Sequence, residues 1–198
     1  MRFAAVLFDL DGVLIDSGEA WHRVVSRGLY EWGYAPISRT AFRATFGQGV
    51  DADQRQLFPG QTIDQIRALY ERAFADEIAA ITLLPGAIEV LDELGRCGLL
   101  RAVVTNTPVE LARRVLSAKG LDSRLEAVAA AGEAAEKPAP DLVLLALERL
   151  SVKPEQALYV GDSDSDLLAA RAAGVVMAGL GLDADHRLDT LRAVLDLV

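Results

Sequence analysis

The segment Val6-Leu7-Phe8-Asp9-Leu10-Asp11-Gly12-Val13 delivers two carboxylates, one residue apart, from an apolar run into a glycine-containing turn. A carboxylate placed there can attack phosphorus and form an aspartyl-phosphate. It can also help hold Mg²⁺, whose hard charge favours oxygen ligands. Acidic pairs are common on solvated turns, so the pair gains its meaning from three later segments. Thr105 and Asn106 offer a hydroxyl, an amide and backbone N–H groups to phosphate oxygens, just ahead of a helix opened by Pro108. Helix N-termini favour anions. Lys137 stands in Glu136-Lys137-Pro138-Ala139-Pro140-Asp141, where two prolines stiffen the loop. A lysine fixed in this way screens both an attacking carboxylate and a phosphate. The last segment is Gly161-Asp162-Ser163-Asp164-Ser165-Asp166.

These types suggest a division of labour. Asp9 is the candidate nucleophile, and Asp11 the general acid that protonates a leaving alcohol and then activates water. Asp9, Asp11 and Asp162 are candidate metal ligands, and Asp166 would orient a metal-bound water or Lys137. Ser163 or Asp164 reads as a helix N-cap. Carboxylates gathered in one cleft repel each other, by roughly 4 kcal/mol per pair at 4 Å and an effective dielectric of about 20. Such a cluster raises its own pKa values or recruits a cation, and one Mg²⁺ resolves the conflict.

The elements needed to position these groups follow from periodicity. The run Phe3 to Phe8 is continuously apolar, as in a central strand buried on both faces. Residues 18–80 carry helical spacing, with Trp21, Val24, Val25, Leu29 and Trp32 in one stripe and Ile66, Leu69, Tyr70, Phe74 and Ile78 in another. They read as an all-helical insert, and Trp21 and Trp32 as its packing. Residues 1–17 and 81–198 then form the core, in which strands near 101–105, 127–130, 157–160 and 175–178 alternate with helices near 87–97, 109–119, 140–150, 164–173 and 190–197. Alternation of this kind predicts an α/β, Rossmann-like, doubly wound parallel sheet. All four polar segments then fall at the carboxyl ends of its strands, where such sheets bind ligands.

Composition bounds the rest. The 198 residues are 52% hydrophobic and 25% charged, an ordinary globular balance, with a net charge of -9 that argues against nucleic acid. No apolar stretch approaches the roughly 20 residues that span a bilayer. Cys97 is the sole cysteine, so no intrachain disulfide forms. A cytoplasmic setting is expected, with a small phosphorylated metabolite as partner and a monomer or homodimer as the assembly.

Taken in order, Phe8-Asp9-Leu10-Asp11-Gly12-Val13, Val104-Thr105-Asn106, Lys137-Pro138 and Gly161-Asp162-Ser163 with Asp166 resemble the four motifs of the haloacid dehalogenase superfamily of phosphohydrolases. The helical insert is similar to the cap of its phosphoglycolate phosphatase-like subgroup, and Phe46-Gly47-Gln48-Gly49 resembles that subgroup's Gly-Asn-Gly segment. The resemblance implies a Mg²⁺-dependent phospho-aspartate mechanism under a closing cap. An acid at Asp11 is what phosphatases and sugar-phosphate mutases have and dehalogenases lack. Gly161 stands where the β-phosphoglucomutase pattern has Glu, which favours a phosphatase over a mutase. A non-enzymatic phosphate binder is the third reading, and Asp11 speaks against it, because binding alone needs no acid. The chain departs from its relatives' Thr-Asn-Lys-Pro with Thr105-Asn106-Thr107-Pro108, and the segment before Ala184-Asp185-His186 is short. Gln48, Arg43, Arg55 and His22 are the cap residues expected to touch substrate.

Overall fold

The computed structural model describes residues 3–198. Its centre is strand β1 (Ala5–Phe8), every residue of which is buried. Alternate side chains of a strand point to opposite faces, and here each face meets its own apolar layer. Ala5 and Leu7 join one cluster with Leu142, Val143, Ala146, Ala169 and Ala170. Val6 and Phe8 join the other, with Leu91, Val115, Trp21, Leu69 and Phe74. This double burial is why the strand reads as an unbroken apolar run.

After β1 come the two-residue strand β2 (Ile15–Asp16) and the helices α1 (Gly18–Glu31), α2 (Arg39–Arg43), α3 (Val50–Gln56) and α4 (Ile63–Ala75). A short 3₁₀ turn, Ile78–Ala80, leads to β3 (Thr82–Leu83), which pairs antiparallel with β2. This ribbon at the base of the helical insert was not expected, because two residues are too few to show a period. Helix α4 begins in a capping box in which Thr62 and Gln65 satisfy each other's backbone N–H groups.

The remaining elements alternate: α5 (Ala87–Arg96), β4 (Leu100–Pro108), α6 (Val109–Ala118), β5 (Ala127–Ala131), α7 (Asp141–Leu150), β6 (Ala157–Gly161), α8 (Asp164–Ala173), β7 (Val176–Leu180) and β8 (His186–Leu188). They form a six-stranded sheet of order β5-β4-β1-β6-β7-β8, parallel throughout. Helices cover both faces, and the chain reverses its direction of travel across the sheet beside β1. The expected final helix over 190–197 is instead a 3₁₀ segment, Leu191–Asp196. Strand β8 falls within residues 184–191, the stretch that resembles the family's final strand-helix junction. It returns beside β7 through residues 181–185, a return that works because Gly179 has no side chain: a Cβ there would lie 2.5 Å from the Leu182 carbonyl oxygen.

Candidate active site

Asp9 follows β1 directly and extends its pairing, with its N–H donating to the Val160 carbonyl at 2.9 Å. Its Oδ1 accepts from the Leu10 N–H at 2.7 Å and from Lys137 Nζ at 2.8 Å. Lys137 is buried and donates as well to Asp166 Oδ1 at 2.7 Å, the Val104 carbonyl at 3.1 Å and the Tyr159 hydroxyl at 3.2 Å. An ammonium and two carboxylates, from segments up to 128 residues apart, thus share one buried pocket at the carboxyl edge of the sheet.

Asp166 is the anchor of this group. Its Oδ1 also takes the Tyr159 hydroxyl at 2.8 Å, and its Oδ2 accepts from the Ser163 hydroxyl at 2.6 Å and from the backbone of Ser163 and Asp162. Ser163 is the N-cap of α8, and Asp166 completes its capping box. A residue that caps a helix is here also the rigid partner of the lysine. Gly161 makes room for it, since a Cβ at that position would lie 2.5 Å from the Asp166 Cβ. The Glu of the mutase-like pattern does not fit there unless Asp166 moves.

Oxygens of Asp9, Asp162 and Asp166 lie within 4.8 Å of one another. Three carboxylates against one ammonium leave two negative charges, the deficit a dication fills, and all the donors are hard oxygens suited to Mg²⁺. The electrostatics agree. Burial, and then the charge of Asp166, hold the Asp9 carboxyl well above its ordinary range. The same two causes push Asp162 up to about 7. Burial also works against an ionised Asp166, but the Lys137 charge together with hydrogen bonds from Lys137, Ser163 and Tyr159 outweighs it and keeps that carboxyl low.

Asp11, expected among the metal ligands, is not part of this cluster. Its carboxylate is turned toward Ser17 Oγ, Trp21 Nε1 at 3.2 Å, Thr105 Oγ1 at 3.4 Å and Thr107 Oγ1 at 2.7 Å. Four donors outcompete a place among like charges. Asn106, expected to face phosphate, lines the cavity above these groups, and its amide is held by backbone groups. Its Oδ1 accepts from the Lys137 N–H at 2.8 Å, and its Nδ2 donates to the Lys137 carbonyl at 2.8 Å and the Gly47 carbonyl at 3.1 Å. The alternation of β4 explains the split: Thr105 and Thr107 share the Asp11 side, and Asn106 faces the other way.

A cavity of about 220 Å³ opens above these groups, lined by Asp9, Asp11, Lys137 and Asp162 below and by insert residues such as Arg43, Asp53, Arg67 and Tyr70 above. Arg43 is therefore at the cavity. Gln48, Arg55 and His22 are not among its lining residues. Gln48 donates to the Ala44 carbonyl and accepts from Gln56 at the end of α3, Arg55 is exposed, and His22 faces a separate surface hollow beside Asp16 and Glu19. Sequence reasoning passed over Glu136, Tyr159, Thr107 and Asp53. Glu136 fastens the insert to the core, accepting from the Val50 N–H at 3.0 Å and from Arg67 at 3.4 Å. Only its position beside Lys137 marked it. Trp21 does pack, against Tyr70 and Phe74 with ring centroids 5.1 Å and 4.3 Å away, but its indole N–H also reaches Asp11.

Gly12 is a structural condition of the site. Its φ is +88°, and a Cβ there would lie 2.1 Å from Asp162 Oδ2. Gly12→Ala is expected to displace Asp162 and to weaken divalent-ion binding by at least about tenfold, since both backbone strain and a clash oppose the native geometry. Isothermal titration with Mg²⁺ checks this, and unchanged affinity would refute it.

A fold of this topology, with carboxylates and a lysine at the strand ends, defines a class of hydrolases. The family model of haloacid dehalogenase-like hydrolases matches residues 6–180, and the chain belongs to that family. It is 31% identical to phosphoglycolate phosphatase 1 of Pseudomonas aeruginosa, across 91% of this chain and 70% of that protein. It is 33% identical to hexitol phosphatase A of Escherichia coli, across 98% and 91%. Among solved structures, a candidate phosphoglycolate phosphatase from Lactobacillus plantarum superposes over 100% of both chains with a TM-score of 0.91 and 27% identity. CbbY of Rhodobacter sphaeroides, solved with phosphate, superposes with a TM-score of 0.83 and 27% identity over 96% and 95%.

Proposed function

We propose that this enzyme hydrolyses a small phosphate monoester, phosphoglycolate-like or a sugar phosphate, with Mg²⁺ and through a phospho-aspartyl intermediate on Asp9. The enzyme is a phosphoric monoester hydrolase, in keeping with its family and with relatives that are themselves phosphatases. The observation that carries the finer reading is Lys137 Nζ set between Asp9 at 2.8 Å and Asp166 at 2.7 Å, with Asp162 beside them and the cavity above.

In the first step an Asp9 oxygen forms a bond to phosphorus as the ester P–O bond breaks. Asp9 Oδ1 is engaged by Leu10 and Lys137, while Oδ2 has no hydrogen-bond partner among the described residues. Lys137 holds the attacking group in place and offsets the negative charge that approaches it. Asp11, which lines the same cavity, gives its proton to the leaving alcohol. In the second step Asp11 takes a proton from water as the water oxygen bonds to phosphorus, and the Asp9–phosphorus link breaks to release phosphate. Asp9 and Asp162 would hold the Mg²⁺, which neutralises charge on the transferring phosphoryl group. Asp166 and Asn106 act by positioning, the first on the lysine's ammonium and the second on its backbone. The helical insert serves as a cap, joined to the core through Glu136.

An acid quench early in turnover of a ³²P-labelled ester tests this. Label is expected on Asp9, and phosphate release is expected to stop when EDTA removes the metal and to return with Mg²⁺. Undiminished release in EDTA, or label that never appears on Asp9, would refute the mechanism.

A further inference from the structure

We propose that Asp53 accepts a hydrogen bond from a hydroxyl of the substrate's leaving group, so that the enzyme selects phosphate esters of polyols over esters whose leaving group carries a carboxylate. The proposal rests on the phosphatase reading above and chooses between the two substrate types that reading leaves open.

Asp53 lies in α3 and lines the same cavity as Asp9, Asp11 and Lys137. Its Oδ2 accepts from the Tyr70 hydroxyl at 2.6 Å. Its Oδ1 has no partner among the described residues, none of which has an enclosed side-chain oxygen lacking a hydrogen bond, so Oδ1 is accessible to solvent on a residue that lines the cavity. No Lys, Arg or His of the described residues forms an ion pair with Asp53. The charges around it do not substitute for one. Arg67 is paired with Glu136 at 3.4 Å, Glu136 gives its other oxygen to the Val50 N–H, and Arg43 is exposed to solvent. Arg43 lines the cavity too and also lacks an ion pair among the described residues, but it is exposed and screened by solvent, so the less-screened unpaired charge on this wall is the Asp53 carboxylate.

Tyr70 is itself fixed, with its ring packed edge-on against Trp21 at 5.1 Å, so the acceptor is held rigidly. Burial raises the Asp53 carboxyl to about 6, in spite of the Tyr70 hydrogen bond, and nearby Glu136 adds to the rise. A carboxylate kept half-buried at that cost, with one oxygen free, marks a binding position. A hydroxyl donor satisfies it. A substrate carboxylate would meet like charge and would leave the free oxygen unpaired.

The test compares kcat/KM for a hexitol phosphate, phosphoglycolate and p-nitrophenyl phosphate in the wild-type enzyme, Asp53→Asn and Asp53→Ala. Wild-type enzyme is expected to prefer the hexitol phosphate to phosphoglycolate by about tenfold or more. Asp53→Ala is expected to lower the hexitol phosphate value roughly 10- to 100-fold more than the aryl phosphate value, which also reports a folded enzyme. Asp53→Asn removes the charge at constant shape and is expected to narrow the hexitol-to-glycolate ratio. Wild-type preference for phosphoglycolate, or equal proportional losses on the hexitol and aryl esters in both variants, would overturn the proposal. Wild-type enzyme inert on all three esters would instead strike the phosphatase reading, and this proposal with it.

Discussion

Asp9→Asn is expected to release phosphate at least about 10⁴-fold more slowly than the wild-type enzyme, because an amide oxygen does not form the covalent intermediate that divides the reaction in two. The fold is expected to survive. The amide oxygen still accepts from Leu10 and Lys137, and β1 keeps its pairing with β4 on one side and β6 on the other. Steady-state phosphate release at saturating Mg²⁺ measures the first effect, and circular dichroism with thermal denaturation the second. Turnover within tenfold of wild type would remove Asp9 from the nucleophile's role, whatever the chemistry of its neighbours. Turnover lost together with the fold would leave the pairing of β1 as the part of the account in error.

Lys137→Met is expected to be the most destabilising substitution at the site. The ammonium is buried, and the Asp9 and Asp166 carboxylates outweigh the burial that works against its charge, so that its pKa lies above the usual lysine value. Methionine fills a similar volume but leaves the two carboxylates facing each other without a cation. Breaking a buried pair in this way costs about 3–5 kcal/mol, which lowers the melting temperature of a chain this size by roughly 6–20 °C. Turnover falls as well, because Lys137 no longer neutralises charge at the attacking oxygen. Thermal denaturation in metal-free buffer isolates the structural part. A shift smaller than about 2 °C there would mean that the pair contributes little to the fold. Added Mg²⁺ is expected to recover part of the lost stability, since a dication bound to the folded state offsets the same excess of negative charge.

Both expectations concern residues that were legible before any coordinates. Asp9 and Lys137 stand in segments whose neighbours fix their setting: an unbroken apolar run before the first, two prolines after the second. The strand–helix alternation beyond residue 81 gave the parallel sheet for the same reason. Burial pattern is a local property of sequence, and a strand covered on both faces has no polar side to show. Where that signal is short, it fails. The β2–β3 ribbon spans two residues on each side. The chain end carries a helical pattern but winds as a 3₁₀ segment.

The polar contacts divide differently. Sequence alone determined which chemical groups reach the carboxyl edge of the sheet, because each directly follows or closes a strand, or lies in the loop beyond one. Tertiary structure decided which of them face one another. Asn106, at the cavity, pairs with the Lys137 backbone, and Asp11 turned from the metal cluster toward Ser17, Trp21 and Thr107. The helical insert supplied Asp53 while leaving Gln48, Arg55 and His22 away from the cavity. The physical reason is that a hydrogen bond depends on tenths of an ångström, and most of these pairs join residues far apart along the chain, Asn106 and Lys137 by 31 positions, Asp11 and Thr107 by 96, and Lys137 and Asp9 by 128. Periodicity carries no information at that range; only the packed sheet and the helices against it bring such atoms to a common point.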